Sequence, residues 1–335
     1  MDLSLYLDFR PAPGATPGPA HYEEVFALAR EAERLGFRAV WTTEQHGVDD
    51  GYLPTQLPVL AALARETETL RLGTGVILLP LTHPRRVLEE ACVVDVLSHG
   101  RLDLGLGAGN YPNEFRLFDV DLGRRRQLMD EGVAFIREGL AGRPLPDGSP
   151  IAVPPVQRPV PIVLGGLVAP AVDRAARLGD GHFAYAYVDP EEQLPRLWQE
   201  LLAPALARHG RERNEFRLIF SSVIWASENV EREWHDVVGP AFTYQQARYA
   251  EWEADVPSAG GYADTAELDE LRSRMLVGRP DEIAERLLAL AGGFPFDELV
   301  LWPRLPGVPH ELALEHVACL AEGVMPALRA AAERA

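Results

Sequence analysis

Trp41-Thr42-Thr43-Glu44-Gln45-His46, entered from the short apolar run Arg38-Ala39-Val40-Trp41, sets a pattern that the chain repeats twice more. It returns at Leu72-Gly73-Thr74-Gly75-Val76-Ile77-Leu78-Leu79-Pro80-Leu81-Thr82-His83-Pro84, and again at Leu102-Asp103-Leu104-Gly105-Leu106-Gly107-Ala108-Gly109-Asn110-Tyr111. Each time an apolar strand runs into glycines and polar groups, and a helix-forming segment follows. Strands that carry chemistry at their C-terminal ends, each followed by a helix, are how a parallel barrel builds an active site.

The same alternation extends in both directions. Upstream, Leu3–Leu7 reads as a buried strand, the proline- and glycine-rich 8–20 as a loop, and His21–Leu35 as a helix closed by Gly36. Around the repeats, Ala39–Thr43, Arg71–Leu79 and Leu102–Leu106 are strands, alternating with helices over Pro54–Thr67, Pro84–Ser98 and Gly123–Leu140. Downstream, strands are expected at Pro161–Leu164, His182–Tyr187, Phe216–Trp225 and Glu298–Trp302. Helices are expected over Ala169–Leu178, Pro190–His209, Val230–Tyr249 with an interruption near Gly239-Pro240, a segment opened by Pro280-Asp281, and Glu311–Arg334.

Eight strands separated by helices predict an α/β fold, a single TIM-type (β/α)8 barrel over 1–335. Two stretches look inserted, at about 142–160 and 250–276. The first is a proline-rich excursion, and the second holds Pro257-Ser258-Ala259-Gly260-Gly261, either a lid or a plain surface insertion.

Composition narrows the function classes. The 335 residues are 47% hydrophobic and 24% charged, ordinary for a globular enzyme, and 32 basic minus 50 acidic residues leaves −18. That balance argues against nucleic acid as a partner, since there is no basic surplus to exchange for counterions. Cys92 and Cys319, the two cysteines, read as reduced thiols. Asp2 after Met1 and the absence of a basic segment ahead of an apolar core argue against a signal peptide, and no apolar run reaches spanning length, so a cytoplasmic location without membrane association is expected.

Glu44 and His46, second neighbours at a strand end, are placed to project to one side and bring a carboxylate and an imidazole to one mouth, with structural hydrogen bonding as the alternative. His46, His83 and His182 fall near successive strand ends, a topology compatible with a metal, yet no compact ligand motif is present and no metal is expected. Gly105-Leu106-Gly107-Ala108-Gly109-Asn110 fails the dinucleotide spacing at Asn110, though Gly107 and Gly109 still offer backbone to a flat cofactor or a neighbouring strand. Arg124-Arg125-Arg126 opens a helix, where one inward arginine and free amides suit a phosphate. A nucleophile elbow is absent.

Taken in order, Gly36-Phe37, Val40-Trp41, Glu44-Gln45-His46, Leu72-Gly73-Thr74-Gly75, Leu79-Pro80, His83-Pro84, Gly100-Arg101, Gly105, Gly109, Glu114-Phe115-Arg116, Phe118 and Arg126 resemble the bacterial luciferase-like flavin monooxygenase family. Pro161, Ala175-Ala176, Gly179-Asp180-Gly181 and Val277-Gly278-Arg279-Pro280-Asp281-Glu282-Ile283 continue the resemblance over nearly the whole chain. The resemblance implies a usually dimeric barrel with reduced FMN at the strands' C-terminal ends. It also implies a non-proline cis peptide at Gly75-Val76 under the flavin ring, Asn110 and Glu114 beside that ring, and Arg126 on its phosphate. Gly107 is placed by it at the cofactor, and the amides of Gly165, Gly166 and Val168 at the phosphate.

Departures from the family pattern matter as well. Gln45 stands where luciferase has its catalytic histidine, leaving His46 adjacent, and glutamine orients by hydrogen bonds without acting as a base. Gly107 replaces a reactive cysteine and is expected to remove bulk. Ala108 replaces a phosphate-clasping arginine, and Leu167-Val168 an acidic-serine pair.

The implied activity is a two-component monooxygenase: a separate reductase supplies reduced FMN, oxygen adds at the flavin C4a position, and the resulting peroxide oxygenates an organic substrate, with a bulky secondary metabolite as the candidate class. Glu44, Gln45, His46 and Glu114 are the catalytic candidates, and Tyr185 and Tyr187 the substrate-pocket aromatics. Alternatives are hydride transfer with a 5-deazaflavin coenzyme, or a non-catalytic flavin-binding barrel.

Overall fold

A computed structural model describes residues 1–253 and 267–333. Its strands are β1 (Asp2–Leu7), β2 (Ala39–Thr42), β3 (Arg71–Thr74), β4 (Ile77–Leu78), β5 (Leu102–Gly107), β6 (Ile162–Gly165), β7 (Gly181–Tyr185), β8 (Arg217–Ser222), β9 (Ile224–Ala226), β10 (Leu276–Gly278) and β11 (Glu298–Leu301). Every pairing is parallel. The order β3-β2-β1-β11-β8-β7-β6-β5-β4 closes on itself through β3–β5, with Leu72 opposite Leu102. With β3 and β4 as two parts of one interrupted strand, eight strands form a closed barrel with helices outside it, as the alternation predicts.

Strand alternation divides the core into two layers. Leu3, Leu5 and Leu7 point outward into the shell beneath the helices, with Val40, Leu72, Leu104 and Leu164. Tyr6 points inward and fills the barrel with Trp41, Phe183, Ile219, Val300 and Trp302. Aromatic bulk inside the barrel is accommodated by glycine: a Cβ on Gly73 would lie 2.3 Å from the Trp41 ring.

At the strands' N-terminal end a charged cluster closes the barrel. Asp103 and Glu298, both buried, are shared by three arginines: Arg71 reaches Asp103 at 2.6 Å, Arg38 reaches Glu298 at 2.8 Å, and Arg217 binds both. Glu298 also accepts from Ser4 Oγ at 2.5 Å and Trp41 Nε1 at 2.8 Å. Burial alone would raise the Asp103 carboxyl, but Arg217, Arg71 and Arg38 together hold it well below the usual carboxylate range.

Several expected elements are corrected. The third strand breaks at a cis Gly75-Val76 peptide. The run Phe216–Trp225 serves two sheets: β8 stays in the barrel, while β9 leaves it to pair with β10, a strand the sequence reading did not anticipate. Trp225 of β9 is held there by its ring, stacked on His316 at 4.0 Å, and by its Nε1, which donates to Glu233 at 2.9 Å. The interruption expected near Gly239-Pro240 is a widened π-turn over Trp234–Val238, and the α-helix resumes at Gly239 and runs on to Glu253.

The excursion at 142–160 contains no helix or strand, yet it is tied down. Asp95 accepts from the Val156 and Gln157 amides at 2.6 and 2.9 Å, and Arg85 reaches Asp147 at 2.6 Å. Of the second inserted stretch, Pro257–Gly261 lies outside the described residues; after it come a short helix, Leu268–Ser273, and β10.

Candidate active site

Glu44 follows β2 and turns across the barrel mouth. Its Oε1 accepts from the Leu78 amide at 3.1 Å and lies 3.2 Å from His46 Nε2, while its Oε2 accepts from Gln56 Nε2 at 3.2 Å. The His46 ring packs edge-on against Phe118 at 4.7 Å. Glu114 arrives from the short helix Pro112–Leu117, absent from the sequence expectations, and its Oε1 accepts from the His46 amide at 2.9 Å.

Glu114 Oε2 is buried and has no partner among the described residues. Burial pushes this carboxyl up to about 7; the Glu44 carboxylate adds to the rise, and the His46 amide and imidazole oppose it. Near neutrality the side chain can therefore retain its proton. It can then donate a hydrogen bond, which an ordinary carboxylate cannot.

The floor between these groups is the Gly75-Val76 step. Gly75 donates its amide to Thr42 O at 2.7 Å and to Gln56 Oε1 at 3.1 Å, and its carbonyl accepts from Tyr6 Oη at 2.6 Å. The Val76 side chain lies directly on two glycines: a Cβ on Gly107 would meet it at 2.5 Å, and one on Gly165 at 3.3 Å. This corrects the expectation of spare room at Gly107, because Val76 already fills it. Gly109 has φ +66°, and a Cβ there would come within 3.1 Å of Phe115, so the position requires glycine.

Glu44, His46, Glu114, Gly75, Val76, Gly107 and Gly165 thus meet at one place. Gln45 is buried beside them, its amide donating to Leu53 O at 3.1 Å. Tyr187 stacks on Tyr185 at 5.6 Å and meets Trp302 at 6.3 Å, and Trp302 packs on Tyr6 at 4.8 Å, which links the rim to the floor. Asn110 and Arg126 are exposed and share no hydrogen bond with this group among the described residues. Val168 is exposed at the start of the helix Ala169–Leu178, and Gly166 at φ +133° shapes the turn before it.

Between β6 and that helix, the amides of Leu167, Val168 and Ala169 have no backbone acceptor among the described residues. Free amides at a helix N-terminus suit an anion. A flavin phosphate fits these amides, and the buried, unpartnered Glu114 Oε2 and the Val76 floor fit the ring end. The three histidines do not assemble: His83 caps the helix Pro84–Leu97 through Nδ1, and His182 bonds Gly166 O. Among the described residues no three His, Cys, Asp or Glu side chains gather to hold a metal. No described helix is long and apolar enough to cross a membrane.

The sequence reading missed several contributors. Tyr6 and Ser4 alternate with Leu3, Leu5 and Leu7, a pattern that assigns both to the barrel interior. Gln56 gives no such signal, since a polar residue before a helix is commonplace. Asp8 and Arg10 follow β1 as Glu44 follows β2, so the motif itself would have found them. Arg10 is wholly buried, donating to Asp8 at 2.6 Å and Gln245 at 2.7 Å, with the Tyr52 ring 4.8 Å from its guanidinium carbon.

A family model described as luciferase-like monooxygenase matches residues 1–294. An uncharacterised protein, y4vJ of Sinorhizobium fredii, is 26% identical over 89% of each chain. The oxygenase component of the flavin-dependent trigonelline monooxygenase of Acinetobacter baylyi is 38% identical over 34% of this chain and 32% of its own. Among solved structures, the monooxygenase RslO1 from Streptomyces bottropensis superposes with a TM-score of 0.82 at 26% identity, covering 97% of this chain and 99% of that one.

Proposed function

The chain belongs to the luciferase-like monooxygenase family, and on that premise we propose that it oxygenates an organic molecule using oxygen and reduced FMN delivered by a separate reductase. The observation that carries the proposal is the buried Glu114 Oε2, unpartnered among the described residues, facing a mouth already lined by Glu44 and His46. Reduced FMN, when bound, supplies the electrons that activate oxygen.

The residues divide the remaining work. Leu167, Val168 and Ala169 amides with Arg126 bind the phosphate, and Val76, seated on Gly107 and Gly165, supports the ring. Tyr6, Thr42 and Gln56 hold the Gly75 peptide in place from both sides. Protonated Glu114 donates a hydrogen bond at the ring, and its loss of the proton near pH 7 makes it a general acid suited to that pH. His46 and the Glu44 carboxylate, 3.2 Å apart, orient one another at the mouth. Gln45 orients by hydrogen bonding only. Tyr185, Tyr187 and Trp302 form an aromatic wall for the substrate and exclude water from the mouth.

Anaerobic titration with reduced FMN, followed by rapid mixing with oxygenated buffer, tests the proposal. Tight binding and a flavin reoxidation course distinct from that of free reduced FMN are expected. Binding of a reduced 5-deazaflavin in preference to FMN would replace the proposal with hydride transfer, and binding of neither would leave a non-catalytic barrel.

A further inference from the structure

His182 has no part in the chemistry above and, among the described residues, joins no group of metal-ligating side chains; it is completely buried, and its ring makes one hydrogen bond among the described residues, to Gly166 O at 2.7 Å. Burial lowers its pKa to about 4, so the ring is neutral at pH 7; a carbonyl only accepts, so the proton resides on Nε2. Nδ1 has no partner among the described residues.

The bond fixes more than one carbonyl. Gly166 C=O and Leu167 N–H belong to one trans peptide plane and point in opposite directions. With the carbonyl held by the His182 ring, the Leu167 amide is directed the opposite way, away from that ring. The turn is constrained from its other sides too: Gly165 lies against Val76, and Gly166 at φ +133° has Ala171 Cβ only 2.6 Å from where its own Cβ would be. Without a donor at position 182, the 166–167 plane is free to rotate, and the Leu167 amide loses its fixed direction.

We propose that His182 is a positioning residue that orients the Leu167 amide toward the flavin phosphate, so that it sets the preference for FMN over riboflavin. The inference rests on the reading that the phosphate sits at the start of the helix Ala169–Leu178. A residue that merely filled core space would affect both flavins equally. Glutamine places an amide nitrogen near the position of histidine Nε2 and restores the bond, whereas phenylalanine keeps the ring volume and removes the donor.

Dissociation constants for reduced FMN and reduced riboflavin, measured anaerobically on wild type, His182→Phe and His182→Gln, test it. His182→Phe is expected to weaken FMN binding about tenfold and leave riboflavin binding unchanged, and His182→Gln to recover most of the loss. Equal weakening of both flavins, or no change in either, overturns the role of His182. Wild-type protein that binds both flavins alike overturns instead the placement of the phosphate, and the inference falls with it. If His182→Phe does not fold, the ratio of the two constants in a folded His182→Asn variant, whose shorter amide does not reach Gly166 O, serves the same purpose: an unchanged ratio overturns the proposal.

Discussion

The two ends of the barrel bury charge in opposite ways. At the N-terminal end Asp103, Glu298, Arg38, Arg71 and Arg217 satisfy one another, and no buried side-chain atom in that cluster lacks a partner. At the mouth, Glu114 Oε2, Arg10 Nη1, Asp50 Oδ2 and Gln245 Nε2 are buried without hydrogen-bond partners among the described residues, and the ion pairs of Asp50 Oδ2 with Arg10 Nη1 and Arg248 Nε are loose, at 4.0 Å each. An unsatisfied buried polar group costs stability, so a fold tolerates it mainly where it serves a ligand or a reaction. The contrast therefore separates a closure built for stability from a mouth built for chemistry.

The largest test deletes a charge from the closed end. Glu298→Ala leaves Arg38, Arg217, Trp41 Nε1 and Ser4 Oγ without their shared acceptor, and is expected to destabilise the protein by about 3–5 kcal/mol in urea unfolding at pH 7. The pH dependence has a definite sign. Arg217 and Arg38 outweigh burial and depress the Glu298 carboxyl, so its contribution is full above the unfolded pKa and is lost as pH falls below it. The variant should consequently show a shallower acid loss than wild type. A change below about 1 kcal/mol would erase the distinction between the two ends.

Deleting a charge from the mouth should do the reverse. Glu114→Gln keeps the acceptor for the His46 amide and puts a neutral donor where Oε2 stands. Raised from 4.5 to about 7, the wild-type carboxyl favours folding fully below about pH 4, and the contribution is lost as pH rises through 7. That span corresponds to about 3 kcal/mol. Thermal unfolding at pH 8 should accordingly find Glu114→Gln more stable than wild type, with the difference vanishing near pH 4. Turnover should fall, since an amide cannot release a proton. A variant less stable than wild type at pH 8 would show that the mouth carboxylate is satisfied after all.

The closed end and the mouth also differed in legibility. Strand–helix alternation suffices for the barrel, because period-two apolar runs and proline- or glycine-punctuated helices are local patterns. Glu44 and His46 were visible as polar residues at a strand end. Glu114 was placed at the site only by resemblance; its helix spans six residues, too few for a periodic signal, and the burial that raises its pKa comes from packing distant in sequence. The Asp103–Glu298 cluster was not read at all, since its members are spread from residue 38 to residue 298 and only barrel closure brings them together. The supposed space at Gly107 failed for a related reason: a missing side chain predicts room only if no neighbour moves in, and Val76 does.

The smallest expected effect lies at the rim, where the mouth meets solvent. Tyr185 is 39% exposed and stacks on Tyr187 at 5.6 Å, so it contributes little to the core. Tyr185→Ala should change unfolding free energy by less than about 1 kcal/mol. If the aromatic wall receives substrate, the same variant should raise KM while leaving kcat and reduced-FMN affinity near wild type. Steady-state kinetics with any accepted substrate would decide between two outcomes. A KM effect without a stability effect makes the rim a recognition surface, whereas a fall in kcat at constant KM would extend the reacting part of the mouth outward from the Glu114 carboxyl to the rim.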